Sequence, residues 1–87
     1  MKKQKNPVET TMLTLRDGST VEVKGDTRCS AFVLAALRGQ VVETDGSKMD
    51  WLNFPDFPVE AHGFLGDKEV GGVRVSDVMA WSVWGEP

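Results

Sequence analysis

The sequence has one cysteine, one histidine and no tyrosine, and the first two scarcities each close off a class of function. A lone Cys29 cannot form an intramolecular disulfide, whereas small secreted domains usually depend on several. A reducing compartment, and hence a cytoplasmic location, is expected. One Cys and one His cannot complete a structural zinc site built from such ligands, so no metal or other cofactor is expected. No run approaches the roughly 18 apolar residues of a spanning helix. The basic opening Met1-Lys2-Lys3-Gln4-Lys5 leads into Asn6-Pro7-Val8-Glu9 rather than an apolar stretch, so neither membrane insertion nor secretion is expected. The glycines form neither a phosphate-binding loop nor a dinucleotide fingerprint, both of which need a fixed spacing ahead of a helix.

Positive charge is also scarce beyond the first residues. Lys2, Lys3 and Lys5 set aside, residues 6–87 hold seven basic against thirteen acidic side chains. Between positions 43 and 69, Glu43, Asp45, Asp50, Asp56, Glu60, Asp67 and Glu69 face only Lys48 and Lys68. A phosphate backbone is repelled by such a surface, which disfavours direct nucleic-acid binding. A basic protein surface is the complementary partner.

What is present suffices for one small core: 87 residues, 40% of them hydrophobic. The expected organisation is a mobile basic tail over residues 1–10 and one α+β domain over residues 11–87. A hairpin is predicted from Thr11–Leu15, Arg16-Asp17-Gly18 and Ser19–Lys24. A three-residue loop with Gly18 left-handed sets Leu13 opposite Val21 and puts Leu13, Leu15, Val21 and Val23 on one face; a two-residue loop would split them. Asp26 or Thr27 can cap a helix running to about Arg38. Its stripe is Cys29, Phe32, Val33, Ala36 and Leu37, and Gly39 stands at the C-terminal stop. A second hairpin is expected from Val41–Thr44, Asp45-Gly46 and Ser47–Leu52. Phe54-Pro55-Asp56-Phe57-Pro58 reads as an ordered loop, because proline lacks an amide and biases the preceding residue towards extended conformations. Strands follow over Val59–Leu65 and Val73–Val75, and Val78–Trp84 favours strand over helix. The expected whole is a mainly antiparallel, curved sheet of four to six strands with one helix packed on it.

Two constellations could carry function. Cys29 in a first helical turn, with His62 as base and Asp56 or Glu60 as orienting acid, would follow the logic of an activated nucleophile. Cys29 belongs equally to the apolar stripe of its helix, as an inert core residue, and no catalytic residue is assigned. The protein is expected not to be an enzyme. The stronger signal is the aromatic set Trp51, Phe54, Phe57, Phe64, Trp81 and Trp84 within the acidic half, since Trp is a frequent interface anchor. Trp51, Trp81 and Phe64 are expected mainly in the core. Trp84, near the C-terminus, and Phe57, between prolines, are expected at the surface. The candidate partner-binding residues are Trp84, Phe57, Asp56, Glu60 and Trp51.

The function expected is therefore an acidic protein-binding module or inhibitor that contacts a larger protein with a basic surface. In size and composition the chain is similar to many small phage accessory proteins that block another protein by binding it. The alternative is a small-ligand module with a pocket lined by Trp51, Phe57 and His62, in which a homodimer supplies the missing wall. Mimicry of a nucleic acid is a further reading, and would need carboxylates spaced like phosphates.

Overall fold

The computed structural model describes residues 8–85. Along the chain come β1 (Val8–Leu15), β2 (Thr20–Asp26), α1 (Thr27–Leu37), β3 (Trp51–Asn53), β4 (Ala61–Leu65), β5 (Lys68–Val70), β6 (Gly72–Arg74) and β7 (Val78–Gly85). Short 3-10 turns occupy Phe54–Asp56 and Val75–Asp77. The architecture is α+β, as the sequence predicts. A five-stranded antiparallel sheet in the order β5-β4-β2-β1-β7 carries α1, and β3 and β6 form a separate pair. The expected tail overlaps this order: Val8–Thr10 belong to β1, paired with β2 and β7, and the rest of it lies outside the described residues.

The first hairpin has the predicted register. Leu13 stands opposite Val21, and Leu15 N–H donates to the Ser19 carbonyl at 2.8 Å across a loop whose Gly18 has φ +92°. Asp17 accepts from both the amide and the hydroxyl of Ser19, which holds its carboxyl below the ordinary range. At the start of α1 the Asp26 carboxylate accepts from Arg28 N–H at 2.9 Å, capping the first turn. Gly39, at φ +72°, follows the helix end.

Burial follows the pleat and the helical stripe. Leu13, Val21 and Val23 from the sheet meet Cys29, Val33 and Ala36 from α1, and Leu52, Phe54, Val73 and Ala61 close the far side. Two glycines permit this closeness. A Cβ on Gly25 would sit 2.8 Å from the Cys29 sulfur, and one on Gly63 would run into the Phe54 ring.

Three expectations are corrected. The second hairpin is present only as its tip, residues 41–49, and does not extend to Leu52. Asp45-Gly46 makes its turn, with Glu43 N–H donating to Ser47 O at 2.7 Å and Met49 N–H to Val41 O at 2.9 Å on either side of the Val42–Lys48 bridge, but the arms go no further. Trp51–Asn53 pairs instead with Gly72–Arg74, because the β6 segment brings an apolar Val73 to face Leu52 inside the core. The Val59–Leu65 strand starts only at Ala61 and is followed by β5, a short arm turned back by Gly66. Trp51 and Trp81 are not core residues, being 49% and 41% exposed.

β7 explains the second of these exposures. It is the last strand of the sheet, and after buried Val78 every described residue to Gly85 is exposed, so the strand lies clear of α1. The body is accordingly flat, 44 × 31 × 19 Å.

Among the described residues one buried side-chain group is unsatisfied. The Thr11 hydroxyl has no hydrogen-bond partner among the described residues, although Thr11 is fully buried between Val23 and Val83. Burying a hydroxyl without a partner costs about 1 to 3 kcal/mol. Thr11→Val, which keeps the branched shape, is therefore expected to raise stability by about 1 kcal/mol in urea unfolding. A loss of stability would mean that the hydroxyl is satisfied after all.

Candidate functional site: an acidic, aromatic hollow

Beside the end of β3 the surface opens into a hollow of about 330 Å³. Its aromatic walls are Phe32, Trp51 and Phe57, and its polar groups are Glu43, Asn53 and Asp56. The local chain accounts for each position. The 3-10 turn begins as Phe54 N–H donates to Gly71 O at 2.9 Å, burying the Phe54 ring and turning Pro55-Asp56 outward. Phe57 then packs edge-on against two rings, with centroids 4.7 Å from Phe32 and 5.6 Å from Phe54. Such edge-to-face geometry fixes a ring by the attraction of its positive edge to the neighbouring face. The Asn53 side-chain amide donates to Asp56 at 2.7 Å, orienting the carboxylate at the lip.

Trp51 forms the opposite wall. Its ring lies over Gly72, where any Cβ would collide with the ring and with Leu52 O. The Arg74 guanidinium stands 6.0 Å from the Trp51 ring centroid and donates to Asp50 at 3.2 Å. Asp50 also accepts from Ser76 N–H at 3.1 Å, and that bond, ahead of Arg74, lowers its pKa. The hollow is thus acidic and ring-lined, a combination that suits a cation with an organic surface, since ring faces and carboxylates both attract positive charge.

Of the five expected partner-binding residues, Trp51, Asp56 and Phe57 come together here. Glu60 and Trp84 do not. Glu60 accepts from His62 Nε2 at 2.9 Å, and Glu69 lies 3.2 Å from Nδ1. These bonds, Glu60's first and Glu69's second, raise the pKa of the exposed imidazole by favouring its charged form. Trp84 lies opposite Thr10 on β7, on the sheet face turned away from α1. Its indole N–H donates to Ser82 Oγ at 3.0 Å. Phe32, Glu43, Met49 and Asn53 complete the hollow and are not singled out for it by the sequence; the place of Phe32 at the margin of the helical stripe is the available signal.

The Cys29–His62 pair does not assemble. Ala61, opposite Gly25, faces the core, so the next residue, His62, points to the other side of the sheet from Cys29. Burial, with a lesser contribution from the Asp26 charge, pushes the Cys29 thiol up to about 11, the opposite of an activated nucleophile. Among the described residues no group of three or more His, Cys, Asp or Glu is placed to hold a metal ion, and no helix is long and apolar enough to cross a membrane. Compared with known proteins, the chain matches no family model, no curated protein and no solved structure.

Proposed function

We propose that this protein is a small acidic binding module, acting without catalysis, that recognises a basic surface on a larger protein by taking an arginine or lysine side chain into the hollow. The reading rests on one observation: Phe32, Trp51 and Phe57 stand beside Glu43 and Asp56 in one concavity. An aromatic pocket desolvates the alkyl stem and the ring faces attract the cation, while carboxylates at the lip supply charge and direction. Interfaces commonly concentrate their energy in such a pocketed anchor.

The test uses the side-chain analogues methylguanidinium and methylammonium, titrated against the 15N-labelled protein. The three tryptophan indoles serve as separate reporters. Trp51 is expected to shift and Trp81 and Trp84 to stay, with the response weakened by salt and reduced at least about tenfold by Asp56→Asn together with Glu43→Gln. A silent Trp51, or equal shifts at all three indoles, would overturn the reading. A protein captured from lysate by the wild type and lost by Trp51→Ala supports a protein partner. Retention of a small organic cation alone would replace it with a ligand module.

A further inference from the structure

The two edges of the main sheet are built differently. The β5 edge is three residues long and carries Lys68 and Glu69, the short, charged form that resists pairing with another chain. The β7 edge has eight residues, Val78–Gly85, with no charged side chain and no proline. Trp84 is 64% exposed, and Met79, Trp81 and Val83 are exposed as well.

The hydrogen-bond phase of the ladder tells which backbone groups this edge presents. Leu15 N–H bonds to Ser19 on the β2 side, so alternate residues Leu13, Thr11 and Glu9 also turn their backbone groups to β2. Thr14, Met12 and Thr10 therefore turn theirs to β7, where they meet Ala80, Ser82 and Trp84. Trp81 and Val83 are left with N–H and C=O directed outward, beyond the last strand. The register shift between Thr14 and Leu15 disturbs the strand near Met79, so the regular edge is Ala80–Gly85.

We propose that this edge pairs with the same edge of a second copy, β7 antiparallel to β7 about a two-fold axis at Ser82, joining two five-stranded sheets into one. Antiparallel pairing of identical strands keeps like faces together only if each residue meets one of the same pleat. The axis at Ser82 satisfies this and sets the outward-directed Trp81 against Val83 of the second copy, a hydrogen-bonded pair in each direction. It also sets Trp84 against Ala80, so that each large ring meets a small or branched neighbour, a favourable cross-strand pairing. A second copy fits better than a basic partner because the edge is uncharged: it offers such a partner no complementary charge, whereas neutral meets neutral across the two-fold. The regular edge is only six residues long, Ala80–Gly85, so the dimer is expected to dissociate on dilution. This surface is separate from the acidic hollow, and either can fail without the other.

Sedimentation velocity over a wide range of concentration is expected to show a monomer–dimer equilibrium for the wild type. Ala80→Lys/Trp84→Lys and Ala80→Glu/Trp84→Glu, both at exposed positions, are expected to remain monomeric with unchanged circular dichroism. An equimolar mixture of the two is expected to dimerise, because each Lys then faces a Glu. Ser82→Cys, on the axis in a non-hydrogen-bonded pair, is expected to cross-link to itself under mild oxidation at least about tenfold faster than Ala80→Cys. A wild type that stays monomeric throughout overturns the proposal. So does failure of the mixed variants to associate, or equal cross-linking at positions 80 and 82.

Discussion

Gly63→Ala is expected to lower stability by about 2 to 4 kcal/mol, although it adds a single methyl group. Gly63 lies on β4 with its missing side chain facing the core, and the Phe54 ring occupies that space. A methyl there cannot coexist with the ring, which is almost fully buried and wedged between the sheet and Phe57. Either β4 moves away from β2 or Phe54 gives up its site. The first strains a ladder of five residue pairs, and the second forfeits much of what burial of a phenyl ring contributes. In a domain of this size the midpoint of thermal unfolding should fall by roughly 8 to 32 °C. Gly71→Ala is the internal control, since its new Cβ would meet open space at an ordinary φ and should change stability by less than about 0.5 kcal/mol. Equal melting temperatures for the two variants would show that Phe54 is not held where the structure has it.

The second large effect is expected at Leu52. Its side chain is fully buried, and it is the central residue of β3, facing Val73 of β6. Among the described residues the β3–β6 pair forms a sheet of its own, so its packing on the main sheet depends largely on burial, with Leu52, Val73 and the adjoining Phe54 as the anchors. Leu52→Ala is expected to cost about 2 to 5 kcal/mol, depending on how far the cavity collapses. The loss should be uneven in space. Amides of residues 51–53 and 72–74 are expected to lose protection from hydrogen exchange before those of β1 and β2, because the small pair can detach while the large sheet persists. Because Trp51 and Asn53 flank Leu52, the same substitution should blunt the response of the hollow to methylguanidinium at temperatures where the main sheet is intact. Uniform loss of protection, or a cost under about 1 kcal/mol, would refute this account.

The first half of the fold was legible because its information is local. Leu13, Leu15, Val21 and Val23 share a face in only one loop length, and the helix carries its own cap, stripe and stop in Asp26, Cys29 to Leu37 and Gly39. The second half depends on distant pairing. Asp45-Gly46 carries correct turn chemistry, yet a turn does not oblige its arms to continue, and Trp51–Asn53 found its partner about twenty residues further on. Strands of three residues have too few alternations to declare themselves.

Exposure is not legible in the sequence for a related reason. Alternation shows that Met79 to Trp84 form a strand, but nothing in the strand's own sequence says whether it is central or marginal, and the burial of Trp81 depends on that alone. For the site, Trp51, Asp56 and Phe57 could be nominated one by one from residue type and surroundings. Their meeting with Phe32 and Glu43 is a product of tertiary packing, in which α1 and the turn after it approach the Phe-Pro loop.

The pairing of β1 with β7 brings the two ends of the described chain side by side, Glu9 opposite Gly85. The ladder's bonds run perpendicular to the strands. Tension applied between these ends would therefore load the bonds one pair at a time, opening the sheet like a zip from its Glu9–Gly85 end. Shear, which would load every pair in the ladder together, never develops in that pulling direction. The same sheet that is held together through its core should thus yield to a small mechanical force at its ends, a weakness of orientation rather than of bond strength.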